Sequence, residues 1–267
     1  MKKLYSLFIV CVFLGATCSA AGKYRRTGCG RTPEDSVKTL VDRVHHFDYE
    51  ALKPLSRCYL EGYGVPQSLL TSLSLNLDYA ERMGLPTSDE VFKQLVADNP
   101  LSCLQTYFEQ PGHLEVFAES LKHIEQTYPS VGRTLALLPR IEQDSVRILR
   151  LWEEEMSEQN ETAFLLLCIF YEERKDCDAL IAVCEKAQSF SLCSVQPLAK
   201  YYYSVYQKDF RRKEYLLKAK DCLYEADTQG ILTRRGAWIL KQVLGSCKEI
   251  GLPFDEMEYS RITRMSK

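Results

Sequence analysis

The sequence has few of the residues that interrupt regular structure, with 10 prolines and 13 glycines among its 267 residues. This composition excludes collagen-like and low-complexity chains, which depend on those two residue types. An excess of charge of one sign is also lacking, because 34 Lys and Arg stand against 36 Asp and Glu. The resulting net charge of −2 provides no overall field for capturing nucleic acid or an anionic membrane.

Patterns typical of catalytic and metal sites are missing as well. The chain has four histidines, His45, His46, His113 and His123, and no pair of them has the i, i+4 spacing of a helical metal site. It contains no GxSxG, GxxxxGK[ST], GxGxxG or HExxH, so hydrolase, nucleotide-binding and zincin chemistries lack their fingerprints. The acids 153–155 are consecutive on an expected helix and are typical of a solvated face. We therefore expect no catalytic residue, no cofactor and no metal.

Long apolar runs are absent too, since none reaches the roughly 20 residues that a membrane-spanning helix needs. The N-terminus instead has two lysines, the apolar residues 4–14 and the small residues 15–21. This order predicts a secretory signal peptide that is cleaved after Ala20 or Ala21. The short apolar stretch looks bacterial, so the mature chain is expected in the periplasm. A lipoprotein acylated at Cys18 is the alternative, but Thr17 is a poor residue before a lipidated cysteine.

Cysteine is abundant, and nine of the 11 cysteines follow the signal region. No CxxC pair occurs, which argues against a zinc knuckle or a redox motif, and structural disulfides with one thiol left over are expected. A turn near Lys175 would bring Cys168 and Cys184 towards the required Cα separation of about 4.4–6.8 Å, so they are the candidate disulfide. Cys177 and Cys184 should not pair, because seven residues of one helix rise about 10.5 Å.

Apolar residues recur at three-to-four spacing from residue 33 to the end, which predicts an all-α fold. Thr32, Pro33 and Asp35 predict the start of a helix as N-cap, first-turn proline and first-turn acid. Thr87 and Glu90 predict a capping box at the start of another helix. The expected regions are a signal peptide over 1–21, an N-terminal extension over 22–31, a helical region over 32–158 that includes a longer helix over 141–156, helix-turn-helix repeats over 159–252, and a tail or short helix over 253–267.

An internal repeat is the most specific feature of the second half. Leu167 and Tyr171 recur 31 residues later as Leu198 and Tyr202. The pair 186–187, Lys-Ala, recurs 32 residues later. Each unit predicts a helix, a charged turn and a second helix whose alanine allows close packing. Because one helix pair cannot bury its own apolar face, such units must stack, and an αα-hairpin repeat solenoid is expected.

A segment of the first half resembles a named repeat. The matching residues are Ala51, Leu55, Tyr59, Gly62, Gly64, Val65, Tyr79, Ala80 and Gly84. Over residues 51–84 they are similar to a Sel-one-like repeat, a relative of the tetratricopeptide repeat. Gly62 and Gly64 would permit a positive-φ turn between two helices, and Gly84 would end the second helix. The later units lack this glycine turn, and residues 90–157 fit no repeat.

Tyrosines and basic residues at one end of the second repeat unit are the candidate partner-binding residues. They are Tyr201, Tyr203, Lys208, Arg211 and Arg212. Tyr202 belongs to the repeat core by alignment, so its two neighbours must point elsewhere and are expected on the inner surface of the solenoid. Aromatic and Arg side chains are common anchors of protein interfaces. Core packing for the tyrosines and a solvated turn for the basic residues are the alternatives.

The resemblance implies a protein-binding function, because Sel-one-like and tetratricopeptide repeats generally act as adaptors. A periplasmic immunity protein that neutralises a type VI secretion toxin, such as a phospholipase effector, is the expected role. An envelope assembly or scaffold adaptor is the alternative. A cysteine-rich repeat enzyme acting on β-lactam-like substrates is less well supported, since Ser120 and Lys122 stand one residue too close for an S-x-x-K box.

Overall fold

The computed structural model describes residues 32–109, 114–189 and 195–267. The predicted signal peptide with its cleavage site, the lipidation alternative at Cys18 and the extension over 22–31 all lie outside the described residues. Within them the regular structure is helical and contains no β-strand, which confirms the predicted all-α class. None of the described helices combines the length and apolar character needed to cross a membrane.

The described part of the chain forms fourteen α-helices. They are α1 (Pro33–His45), α2 (Leu52–Glu61), α3 (Leu69–Arg82), α4 (Glu90–Ala97), α5 (Cys103–Glu109), α6 (Leu114–Thr127), α7 (Pro129–Leu135), α8 (Ser145–Ser157), α9 (Glu161–Glu173), α10 (Cys177–Ser189), α11 (Val195–Lys208), α12 (Lys213–Thr228), α13 (Arg234–Glu249) and α14 (Glu256–Met265). Short 3₁₀ helices are formed by Tyr49–Ala51, Pro100–Ser102 and Leu138–Arg140.

Helix starts follow the local capping signals, with two corrections. Thr32 caps α1, as predicted, and its hydroxyl accepts the amide of Asp35. The Asp35 carboxylate in turn accepts the amide of Thr32, a capping box that was not predicted from the sequence. The predicted N-cap of α4, Thr87, is wrong, because the Asp89 carboxylate accepts the Val91 amide at 2.7 Å and is the cap. The helix expected over 141–156 begins only at Ser145, since a 3₁₀ helix and a turn occupy residues 138–144.

Successive helices pack on one another as hairpins, including α2 with α3, α9 with α10, α11 with α12, and α13 with α14. The two predicted helix-turn-helix units correspond to α9–α10 and α11–α12, with their turns after Glu173 and Lys208. Ala187 and Ala219 are fully buried in the second helix of each unit. A small side chain at these positions lets the two helices of a hairpin approach closely.

Two helices, α3 and α9, lie at the centre of the molecule and contact each other. Every residue from Thr162 to Phe170 of α9 is buried, and so are nearly all residues of α3. Burial on all sides is consistent with the uninterrupted apolar sequence of α9 from Ala163 to Phe170.

Helix α3 also contacts the last two helices of the described chain. Arg82 at the end of α3 donates to the Met265 carbonyl oxygen at 3.0 Å, and the Arg234 amide donates to the Asp78 carboxylate at 2.6 Å. In a simple stack of repeats each unit contacts only its neighbours. The contacts between α3 and the last two helices are therefore not those of a simple solenoid.

The structure does not contain the predicted disulfide between Cys168 and Cys184. Both residues are buried thiols, one on α9 and one on α10. Counting through the turn places two residues at a similar level of a hairpin, but it does not fix the direction of their side chains. The placement of Cys177 and Cys184 on one helix is confirmed. Cys29 and Cys193 lie outside the described residues.

Candidate protein-binding surface

The tyrosines of α11 separate into buried and half-buried positions. Tyr202 is buried, as its core assignment predicts, and its hydroxyl donates to the Glu185 carboxylate at 2.6 Å. Burial, together with this hydrogen bond, raises the pKa of Tyr202. Tyr201 is only 5% exposed, so its predicted role in partner contact is not supported. The reason is that α11 packs against α10, α12 and α13, which leaves a narrow stripe of its surface in solvent.

Tyr203 is half-buried and borders that narrow stripe, and its side chain contacts neighbours on two sides. Its hydroxyl lies 3.2 Å from the hydroxyl of Ser246 on α13. Its ring stacks on Tyr206, with centroids 6.2 Å apart and an interplanar angle of 22°. Tyr206 in turn makes an edge-to-face contact with Phe210, with centroids 5.4 Å apart. The three rings form a row along α11 that leads from the half-buried Tyr203 to the end of the helix.

A second contact holds α11 and α13 together near their N-termini. The Gln196 side chain accepts the amide of Thr233 at 3.1 Å and donates to the Ile231 carbonyl oxygen at 2.9 Å. Gly236 allows this approach, because a Cβ atom there would lie 2.3 Å from the Gln196 side-chain oxygen. Gln196 and Tyr203 thus join the two helices side by side at two levels.

The solvent side of α13 carries an exposed indole. Trp238, Gln242 and Gly245 follow one another at i, i+4 and i+7 and therefore share one face of the helix. Trp238 is 53% exposed, and a side chain added at Gly245 would meet no atom within 4 Å. Ser246, the partner of Tyr203, borders this stripe. We call the surface formed by Tyr203, Trp238, Gln242, Gly245 and Ser246 the α11–α13 face.

Trp238 was not among the predicted residues, although the sequence contains a signal for it. The buried residues of α13 form one stripe, Gly236, Ala237, Leu240, Val243, Leu244 and Cys247. Trp238 falls on the opposite side of a 3.6-residue helix from Leu240 and Val243, so the periodicity alone places this large apolar side chain in solvent.

The predicted basic residues lie beyond this face, at the last residue of α11 and in the turn that follows it. Lys208, Arg211 and Arg212 are exposed, as is every residue from 207 to 214. Arg212 lies over the Tyr215 ring at 4.1 Å, and the Lys208 ammonium is 3.8 Å from the Cys177 sulfur. Lys208 lies five positions after Tyr203 on α11, a rise of about 7.5 Å. The structure thus places the predicted residues in three settings: Tyr201 in the core, Tyr203 on the α11–α13 face, and the basic residues at the end of α11 and in the following turn.

Among the described residues, no group of three or more His, Cys, Asp or Glu side chains is arranged to hold a metal ion. Comparison of the chain with protein-family models, curated proteins and solved structures gives no match. The described residues show an all-α protein in which successive helices contact one another as hairpins, with Trp238 exposed on α13.

Proposed function

We propose that this protein acts by stoichiometric binding to another protein through the α11–α13 face. The observation that carries the proposal is the exposure of Trp238 on α13, the helix whose Ser246 side chain contacts Tyr203. Trp and Tyr are enriched among the few residues that supply most of the binding energy of protein interfaces. An indole left more than half in water forgoes burial energy that a partner would supply.

The rigidity of this face also supports binding. Tyr203 is held by Ser246 and by stacking on Tyr206, so little side-chain freedom remains for a partner to restrict. Preorganised side chains reduce the entropy cost of association. Gly245 leaves space next to Gln242 for a side chain of the partner.

The narrower proposal is that the protein is a periplasmic immunity protein that occludes the active site of a type VI secretion toxin, such as a phospholipase effector. The side-by-side placement of α11 and α13, the first helices of consecutive hairpins, supports a repeat-type binding surface like that of a solenoid. Export depends on the signal sequence in residues 1–21, and mass spectrometry of the mature N-terminus tests it. Assembly of envelope components is the alternative for the same surface.

Affinity capture from envelope extract, followed by titration with the purified partner, tests the binding proposal. Trp238→Ala should weaken binding about 30-fold or more, as expected for loss of an interface anchor. Val146→Ala is the matched control, because Val146 is an apolar residue, 82% exposed, on α8. Both variants should unfold at the wild-type temperature. A partner that binds wild type and Trp238→Ala equally would show that this face is not the binding surface.

A direct assay separates the immunity role from its alternatives. Added to a purified toxin, the wild-type protein should abolish the toxin activity at one equivalent, and Trp238→Ala should require a large excess. Binding to a non-enzymatic envelope component would instead support the adaptor role. Turnover of a β-lactam by the pure protein, with no partner retained, would contradict the binding proposal.

A further inference from the structure

The turn between α11 and α12, together with the two helical residues on either side of it, forms a continuous exposed segment over residues 207–214, which we call the basic turn. Residues 208–213 contain four basic side chains and one acid, a net charge of +3 in a chain whose total is −2. The neighbouring turn over 173–176 has two acids and two basic residues and adds no net charge. The basic turn is therefore a local concentration of positive charge.

The charges of the basic turn are largely unneutralised. The Asp209 carboxylate accepts the backbone amide of Arg211 at 3.1 Å, within the turn itself. Arg212 has one carboxylate partner, Glu214, at 3.7 Å. Within the described ranges, Arg211 and Lys213 form no ion pair. Exposed basic groups of this kind remain available for an external anion.

An apolar side chain stands among these charges. Phe210 is 65% exposed, although one edge of its ring packs on Tyr206 at a centroid distance of 5.4 Å. This contact holds one edge of the Phe210 ring against Tyr206 and leaves the rest of the ring in solvent. The combination of an apolar tip and a surrounding basic cluster differs from an ordinary solvated turn.

We propose that the basic turn docks on an anionic phospholipid surface, with Phe210 at the headgroup boundary and Lys208, Arg211, Arg212 and Lys213 facing lipid phosphates. An anionic bilayer complements the charge of the turn, and each basic residue near such a surface strengthens binding about fivefold. One hairpin turn is too small to bury the roughly 800 Å² per partner of a standard protein interface. Docking on a bilayer requires contact with only the Phe210 ring and the basic side chains around it. This site is separate from the proposed protein-binding face.

Co-sedimentation of the purified, unacylated mature chain with lipid vesicles tests the proposal. The protein should bind vesicles of phosphatidylcholine with about one third phosphatidylglycerol, and should not bind pure phosphatidylcholine. Binding should fall steeply as salt shortens the screening length. Arg211→Gln with Lys213→Gln should weaken binding about 25-fold, two steps of about fivefold, and Phe210→Ser about tenfold.

Matched variants on α8 control for surface charge and apolar exposure elsewhere. Arg147→Gln and Val146→Ser should bind like wild type, because both residues are exposed far from the turn in sequence. Trp238→Ala should also retain vesicle binding, which separates this proposal from the protein-binding one. Failure to bind anionic vesicles, or equal binding to neutral ones, would overturn the proposal. So would unchanged binding by the turn variants. Loss of a protein partner by the turn variants, without vesicle binding, would assign the turn to a protein interface instead.

Discussion

Asp78 and Arg82 form an ion pair within α3, with the Arg82 Nε atom 2.8 Å from the Asp78 carboxylate and side chains only 2% and 5% exposed. Burial raises the pKa of Asp78, and the charge of Arg82 opposes that rise. The Asp78 carboxylate also accepts the Arg234 amide, and the Arg82 guanidinium also donates to the Met265 carbonyl oxygen. The pair therefore joins α3 to the last two helices, and these hydrogen bonds offset part of the desolvation of the two charges.

Arg82→Met should destabilise the protein by about 3–5 kcal/mol, because it leaves a buried carboxylate without its cation. Denaturant unfolding measures the effect. Arg150→Met is the control, since Arg150 forms an i, i+4 pair with Glu154 but is 82% exposed. Exposed pairs contribute about 0–1 kcal/mol, so the control should stay close to wild type. Similar costs for both variants would show that burial does not govern the Asp78–Arg82 pair.

The Glu161 carboxylate predicts a pH dependence of stability. Glu161 begins α9 and accepts hydrogen bonds from the Leu69 and Leu70 amides at 2.9 and 2.8 Å and from the Ser68 hydroxyl. Burial raises its pKa from 4.5 to about 7, although these hydrogen bonds oppose the rise. The folded state therefore holds this proton more tightly than the unfolded state. Its contribution to stability is largest below pH 4.5 and is lost as the pH rises through about 7.

Glu161→Gln should remove that pH dependence. Between pH 5 and pH 8, the free energy of unfolding of wild type should fall by roughly 2 kcal/mol relative to the variant. Urea unfolding at several pH values measures the difference. Glu158→Gln is the control, because Glu158 is exposed in the preceding turn and should follow the wild-type profile. A constant difference between wild type and Glu161→Gln across this range would contradict the raised pKa.

Local signals were sufficient for the predictions that the structure confirms. The start of α1 is predicted from Thr32, Pro33 and Asp35, which lie within four positions of one another and need no distant contact. The burial of Tyr201 depends on which helices surround α11, and its sequence neighbours contain no information about that. Sequence patterns also did not predict the contact of α3 with the end of the chain, because Asp78 and Arg234 are 156 residues apart.

We expect Asn160 to stabilise the start of α9 more than an ordinary N-cap residue does. Its side-chain oxygen accepts the amides of Thr162 and Ala163, while its amide donates to the hydroxyl of buried Thr134 and to the Glu155 carboxylate. Asn160→Ala should therefore cost about 2–3 kcal/mol, the sum of a lost cap and a disrupted polar network.

Asp255→Ala is the comparison for Asn160→Ala, because Asp255 caps α14 in an exposed position and accepts two backbone amides. It should cost about 1 kcal/mol, the typical value of a cap alone. Thermal or urea unfolding of both variants measures the difference. Equal losses would mean that the contacts of Asn160 with α7 and α8 add nothing to stability.

Gly64 and Gly84 share a backbone conformation but differ in their surroundings, which allows steric and conformational costs to be separated. Their φ angles are +69° and +65°, as their predicted turn and helix-end roles require. A Cβ atom at Gly64 would lie 2.4 Å from the Pro33 carbonyl oxygen, whereas one at Gly84 would meet nothing within 4 Å.

Gly84→Ala should cost about 1–2 kcal/mol, the penalty of a left-handed conformation for a residue with a Cβ atom. Gly64→Ala should cost about 1–3 kcal/mol more, because the backbone at the start of α1 must move to admit the methyl group. Denaturant unfolding of the two single variants gives the difference directly. Equal costs would show that the turn containing Gly64 can move away from α1 without loss of stability. The close packing of α1 on this turn would then contribute little to the free energy of unfolding.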